Sequence, residues 1–329
     1  MRGFHLYALI STIAATGTIV SHLQKNDHQF FPAFLHLAKS TLGSYLFTNE
    51  LLVALIYFIT FVKTIFFGKL TQSEIDLCWE NGWQFGFDVL FAAAIFFSEF
   101  SIPIFLLFAV LICVKSLMII TSQRLLSVSQ ELQISFFTKM KLTSIIFLLN
   151  TFNTILFFNF LVSMVESFPN ILSIFVFQFL LLVIDGINLT FRLILIFFCT
   201  ISNERYFLLY IDPIKEFIKL FLTGFLFLAL LFSFGVPLHM FREMYTAILK
   251  FYNSMKNLFE FRRVISEMNR TFPDVTQEDL DRENLCIFCR LDMNIGDSKK
   301  LPCNHCFHVN CLSTWLQQKR ACPICDREL

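Results

Sequence analysis

The first 237 residues alternate long apolar runs with short polar breaks, and most runs approach the roughly 17–25 residues that a helix needs to cross a bilayer core. Residues 4–20 (FHLYALISTIAATGTIV) make the first run. Arg2 and the small residues Ala14 and Ala15 also fit a cleaved leader, but the runs that follow favour a retained first span. Residues 22–41 turn polar and read as an exposed connection, 44–67 make a second span, and Glu74, Asp76 and Glu80 mark a loop. Residues 83–98 are apolar but short and carry Asp88, whereas 101–121 is a strong span with Pro103 in its first turn. Spans at 142–165, 171–200 and 220–237 complete the series, with a turn at Pro169 and a polar linker at 202–219. The pattern predicts an all-α polytopic membrane domain of six to eight transmembrane helices.

Residues 238–263 follow a different rhythm. Phe241, Met244, Ile248, Tyr252, Met255 and Phe259 recur at steps of three and four, while Arg242, Glu243, Lys250, Lys256 and Glu260 fill the other face. This predicts an amphipathic helix directly after the last span, and its basic residues place this end of the chain in the cytosol. With the N-terminus on the same side the span count is even, six or eight. The sequon Asn269-Arg270-Thr271 is then expected to stay unmodified. Thr276-x-x-Asp279 reads as the start of a further short helix.

Polar residues inside the spans are costly, at least ~2.5–3.5 kcal/mol per charge, so they are expected to face a partner or a wet cavity. Asp185, Asn188 and Arg192 share one helical face; Asn150, Asn153 and Thr154 share another. They either join helix to helix or line a hydrophilic groove for a translocating polypeptide.

Composition agrees with membrane burial: 56% of residues are hydrophobic and mean hydropathy is +0.65. The net charge of +1 discriminates nothing, and the absence of a basic stripe argues against nucleic acid as a partner. Cys78, Cys113 and Cys199 fall in or near apolar segments and read as inert thiols.

The last forty-odd residues carry the chemistry. They read Cys286-x2-Cys289-x13-Cys303-x-His305-x2-His308-x2-Cys311-x10-Cys322-x2-Cys325. Each Cys-x2-Cys pair puts two thiolates on one tight turn, and eight such donors suit two tetrahedral Zn2+ ions. A segment this short cannot bury enough apolar surface to fold alone, so the metals are expected to supply most of its folding free energy. The expected domains are 1–237 (membrane), 238–285 (amphipathic helix and linker) and 286–329 (zinc domain).

The ligand order resembles the RING-H2 finger of ubiquitin ligases. That resemblance implies interleaved sites, with Cys286, Cys289, His308 and Cys311 on one zinc and Cys303, His305, Cys322 and Cys325 on the other. Cys306 competes with His305, because Cys303-x2-Cys306 is also a good pair; His305 is favoured and Cys306 reads as a small apolar filler. The resemblance further implies a shallow docking groove for a ubiquitin-conjugating enzyme at Ile287, Trp315 and Pro323, and no covalent nucleophile. Small-domain packing is the rival role for all three. RING ligases that lock the conjugated ubiquitin often carry Arg or Lys directly after the last ligand. Asp326 stands there, so activation is expected to be weaker or to use Arg327.

HQFFPAFLHLAKST (28–41), IFFGKLTQSEIDLCWENGW (65–83), FREMYTAILKF (241–251) and NRTFPDVTQEDLDRENLCIFCRLDM resemble the synoviolin family of endoplasmic-reticulum membrane ubiquitin ligases. This implies a ligase of ER-associated degradation with a cytosolic RING. Implied partners are ubiquitin, a conjugating enzyme, a luminal substrate-recruiting adaptor, derlin-type membrane proteins, a cytosolic extraction ATPase and membrane lipid, with a second copy of the chain a further candidate. Two other readings are a retrotranslocation conduit or scaffold, and a membrane RING ligase of another organelle. The resemblance also implies a long low-complexity cytosolic tail, but this sequence ends four residues after Cys325, so recruitment through such a tail is expected to be replaced by another protein or lost.

Overall fold

The computed structural model describes residues 2–25, 40–95, 101–129, 135–166, 172–198, 201–234, 238–282, 284–317 and 319–328. Most of the predicted connection at 22–41, the turn at Pro169 and Cys199 lie outside them. Among the described residues eight long helices dominate: α1 (Arg2–Lys25), α2 (Thr41–Phe66), α3 (Gln72–Ile95), α4 (Ile102–Ser129), α5 (Phe136–Glu166), α6 (Leu172–Phe198), α7 (Ile201–Phe234) and α8 (Leu238–Thr271). A short helix α9 (Gln277–Arg282), strands β1 (Ser298–Lys300) and β2 (Cys306–His308), and α10 (Val309–Leu316) follow.

Five stretches among the described residues are long and apolar enough to cross a membrane: Gly3–Gln24, Gly43–Phe66, Ile102–Val128, Phe136–Met164 and Leu172–Phe197. The expected span at 220–237 is helical as far as 234 in α7. The short run at 83–98 is helical as far as Ile95 in α3, a continuous helix of 24 residues.

The chain divides into two compact units, residues 1–123 with 158–176, and 124–157 with 177–329. In the first, α1 packs on α2 through polar groups as well as apolar ones. The Tyr7 hydroxyl donates to Asn49 Oδ1 at 2.6 Å, Asn49 Nδ2 donates to Ser11 Oγ at 2.6 Å, and Ser11 also bonds Glu50. These partners let Asn49 and Glu50 sit within an apolar stretch, because a buried polar group costs little once it is satisfied.

In the second unit α8 runs antiparallel along α7. Phe241 meets Phe227 with ring centroids 5.3 Å apart, Met244 Cε lies 3.7 Å from the Gly224 Cβ position, Phe251 meets Phe217 at 5.8 Å, and the Arg262 guanidinium lies 5.4 Å from the Tyr210 ring. Positions 240, 244, 247, 251, 254, 258, 261, 265 and 268 of α8 are all buried or half-buried, a strict alternation of four and three. The stripe read from sequence is displaced from this seam. Phe241, Ile248, Tyr252 and Phe259 remain exposed, because α8 is apolar on two adjacent faces and only one meets α7.

Asp185, Arg192 and Asn150 of the intramembrane polar faces are partnered across helices. Arg192 Nη2 on α6 donates to both carboxylate oxygens of Asp212 on α7, at 2.7 and 2.9 Å, and Arg192 Nε lies 3.4 Å from Asn188 Oδ1. Lys219 on α7 pairs with Asp185 on α6 at 2.5 Å. Each helix thus contributes an acid followed seven residues, about two turns, later by a base, and the antiparallel arrangement of α6 and α7 sets each acid against the other helix's base. Asn150 on α5 donates from Nδ2 to the Gly186 carbonyl (3.1 Å) and to Thr190 Oγ1 (2.7 Å). Its side chain fills the space a Cβ at Gly186 would take, 1.9 Å from Oδ1, so glycine is what permits this contact. Asn153 is fully buried, and neither end of its amide finds a partner among the described residues.

Candidate metal centre

The C-terminal domain is built on the end of α8 rather than hung from it. Met268, Phe272 and Val275 are buried in one core with Met293, Leu301, Phe307 and Leu312. The connecting segment is tied to β1: Lys300 N–H donates to the Pro273 carbonyl at 3.1 Å, Asp274 bridges Lys299, and the Lys299 ammonium reaches the Asp274 carboxylate at 2.7 Å. Strands β1 and β2 pair antiparallel, with Ser298 opposite His308 and Lys300 opposite Cys306. Helix α9 opens as its sequence predicts. Asp279 accepts from the Thr276 hydroxyl at 2.8 Å and the Thr276 N–H at 3.3 Å. The Lys300 ammonium, 2.7 Å from the same carboxyl, is the first cause holding it down to about pH 2, followed by the Thr276 bonds. Its pKa is depressed by folding, so this contribution to stability is full above the ordinary carboxylate value of 3.8 and fades as pH falls through about 2.

Two turns of matching geometry present the paired cysteines. In the first, Arg290 N–H donates to the Cys286 carbonyl (2.7 Å) and Cys286 N–H to the Leu291 carbonyl (3.0 Å). In the second, Asp326 N–H donates to the Cys322 carbonyl (3.0 Å) and Cys322 N–H to the Arg327 carbonyl (2.9 Å). Both turns close on a left-handed residue, Arg290 at φ 54° and Asp326 at φ 55°. Asp tolerates that conformation better than most side chains do, which accounts locally for Asp326 at this place.

The eight predicted donors gather in two groups: Cys286, Cys289, His308 and Cys311 in one, Cys303, His305, Cys322 and Cys325 in the other. Within each, the donor atoms all lie within 4.8 Å of one another. A tetrahedral zinc with thiolate bonds of ~2.3 Å has donor-to-donor edges of about 3.8 Å, so both groups fit the ion with small adjustments. Both imidazoles turn Nδ1 inward, 3.2 Å from Cys289 Sγ for His308 and 3.3 Å from Cys303 Sγ for His305. His308 Nε2 lies 3.1 Å from the Asp292 carbonyl, to which it donates when Nδ1 is the ligand; such a bond fixes ring and tautomer. Cys306 lies in neither group: its buried thiol is 3.9 Å from the Asn304 carbonyl.

Electrostatics favour a cation in the deeper group. The hydrogen bond from Cys311 holds the Cys286 thiol down to about 3 against the cost of burial, with His308 adding to it. The same contact raises Cys311, and the hydrogen bond with Cys286 raises His308. A thiolate thus sits at the centre of a buried donor set whose remaining thiols ionise only if a positive charge joins them.

The expected docking residues lie around the same turns. Ile287 is 58% exposed and Pro323 half-buried. Trp315 is half-buried, its indole N–H donating to the Ala321 carbonyl at 2.8 Å, so it also holds the second turn. Two residues that the sequence reading passed over, Phe288 and Ile324, complete each Cys-x2-Cys tip with an exposed apolar side chain, and the Phe288 ring lies 5.9 Å from Trp315. Asp326 is paired by Lys319, and Arg327 is exposed.

Comparison with known proteins gives two family matches. Residues 3–267 match the family model described as "E3 ubiquitin-protein ligase synoviolin-like, TPR repeats", and residues 284–326 match the Ring finger domain. Among curated proteins, the ERAD-associated E3 ubiquitin-protein ligase hrd1 of Schizosaccharomyces pombe is 23% identical over 357 residues, covering 99% of this chain and 52% of the relative. The chain therefore spans about half the length of the curated relative it matches.

Proposed function

Since the chain belongs to the synoviolin-like E3 ubiquitin-protein ligase family, we propose that it is a RING-type ubiquitin ligase of the endoplasmic-reticulum membrane, acting on misfolded proteins in ER-associated degradation. The observation that carries this reading is the pair of four-donor groups, set in a core that closes on the end of α8, which packs along α7. Zinc, held by Cys286, Cys289, His308 and Cys311 and by Cys303, His305, Cys322 and Cys325, supplies folding energy and takes no part in bond making. The apolar tips of the two turns, Ile287 with Phe288 and Pro323 with Ile324, and the Trp315 face then dock a conjugating enzyme. Orientation of its ubiquitin thioester near a substrate lysine accelerates transfer.

Eight crossings require the amphipathic α8, whose apolar seam lies against α7, to cross as well, and six leave it outside the bilayer. At ~1.5 Å per residue, even the shortest of α1 to α8, 24 residues, is about 36 Å long, enough for a core of about 30 Å. An even count puts the N-terminus and the RING on one side. Lys256, Arg262, Arg263 and Arg270 cluster towards the RING end of α8, which places that side in the cytosol. The ion pairs of α6 with α7 support a helix-joining role for Asp185, Asn188 and Arg192 over a groove lining. The luminal adaptor, derlin-type proteins, extraction ATPase and homodimer belong to this reading as partners to be sought.

Asp326→Arg separates two explanations of the residue after the last ligand. It removes the Lys319 pair and places a cation where RING ligases commonly carry one. Chain formation by the full chain is expected to rise about two- to fivefold, the range an exposed ion pair supports. Unchanged activity would assign that contact to Arg327.

A further inference from the structure

The zinc domain is seated on the helices beneath it at several places. Met268 near the end of α8 is 1% exposed, and Phe272 and Val275 just beyond it are 8% and 2% exposed, all inside the core that Phe307 and Leu312 complete. Helix α10 lies against α8 and also against α7. Lys299 and Lys300 fasten β1 to Asp274 and Asp279, and Arg320 reaches Glu267 on α8 at 3.5 Å. Buried apolar side chains hold more than an exposed ion pair does, so the join rests on the core and not on salt.

The contacts continue to a span. Arg192–Asp212 and Asp185–Lys219 join α7 to α6, whose stretch Leu172–Phe197 is long and apolar enough to cross a bilayer. Since α6 and α8 are both antiparallel to α7, they run in the same direction. Met240 at the start of α8 packs with Phe177 at the start of α6. Farther along, Arg262 lies over Tyr210, two residues from the Asp212 that pairs with Arg192. At ~1.5 Å per residue these levels put Met268, where the zinc core begins, on the order of 10 Å past Phe197.

We infer that α8 and the zinc domain form one lever of fixed length, with Met268, Phe272 and Val275 as positioning residues, and that it restricts ubiquitin transfer to lysines emerging close to the bilayer surface. A RING on a flexible linker would sweep a wide volume. A seated one presents its docked thioester over a narrow range of heights, and only groups held there gain the effective concentration that drives transfer. The preferred substrate is then a membrane-anchored chain, or one still leaving the bilayer, over a lysine on a remote soluble domain. The inference rests on the ligase reading above.

The test uses the full chain in liposomes with single-span substrates, each carrying one lysine at the tip of a lysine-free helical spacer of about 15, 30, 45 or 60 Å. Transfer is expected at the shorter spacers and should fall about tenfold or more by the longest. Seven helix-forming residues inserted between Arg263 and Val264 keep the four-and-three seam in register and should move the best spacer outward by about 10 Å. A flexible Gly-Ser segment of about 20 residues at the same place should flatten the profile. Both variants should keep two zincs per chain. Hydrogen exchange on the unaltered chain needs neither insertion nor activity: amides 264–271 are expected to exchange as slowly as those between Met240 and Phe261. Equal transfer at every spacer, a flexible insertion that leaves the profile unchanged, or free-chain exchange at 264–271 would overturn the inference and leave the ligase reading intact. No transfer at any spacer would contradict that reading, and the inference with it.

Discussion

A Cys286→Ala chain is expected to hold at most one zinc, to lose its packed C-terminal core and to form no ubiquitin chains. Cys286 is fully buried, and its backbone closes the first turn through Arg290 and Leu291. Its thiolate is also the charge around which Cys289, His308 and Cys311 are arranged. Structural zinc contributes an apparent ~10–16 kcal/mol in small domains, comparable with the ~5–15 kcal/mol that stabilises a whole protein. The core around Phe307 and Leu312 therefore does not survive loss of the site. Activity should fall by about two orders of magnitude or more, since each ~1.4 kcal/mol is tenfold. Cys306→Ala is the control: a thiol buried in the same core but outside both groups, expected to keep both zincs at a cost of about 1 kcal/mol. Metal analysis decides it. One zinc lost from Cys306→Ala, with two kept by His305→Ala, would reverse the ligand assignment.

The second large effect lies in the membrane domain. Arg192→Leu removes the guanidinium that bonds both oxygens of the Asp212 carboxylate, which is 32% exposed and keeps only Lys215, 4.0 Å away. Breaking such a pair costs more than deleting it: roughly 3–5 kcal/mol when one buried partner goes, against little when both go. The single variant should therefore show a clear loss of folded chain in mild detergent. The double variant Arg192→Leu/Asp212→Leu should recover most of it, with a coupling of at least ~1 kcal/mol in the cycle. Substrate export should follow the folded fraction in all of these. Export lost in a double variant that folds and ubiquitinates normally would instead make this face part of a conduit.

The zinc donors were legible in the sequence because their information is local. A Cys-x2-Cys turn has one geometry, and the two copies in this chain repeat it bond for bond, down to the left-handed residue at the close. The spans were legible because apolar runs of that length have few alternatives to a bilayer. What escaped depends on partners far away in sequence. Asp185 and Arg192 announce a cost, but nothing near them says that Lys219 and Asp212 meet it. Asn49 and Glu50 went unremarked inside a strong span because Ser11 and Tyr7, which partner them, lie on another helix. In α8 periodicity found an apolar stripe, yet a parallel one, shifted by about one residue, makes the seam with α7. The expected boundary at residue 286 put Met268, Phe272 and Val275 outside the zinc domain, whereas they continue the α8 seam into its core.

The most direct test of the account is ubiquitin-chain formation by the purified full chain in liposomes, with a panel of conjugating enzymes, before and after zinc chelation. The account predicts chains with at least one enzyme, abolished by the chelator and by Cys286→Ala. A chain that carries two zincs, inserts into the bilayer and forms no ubiquitin chains with any enzyme would contradict it.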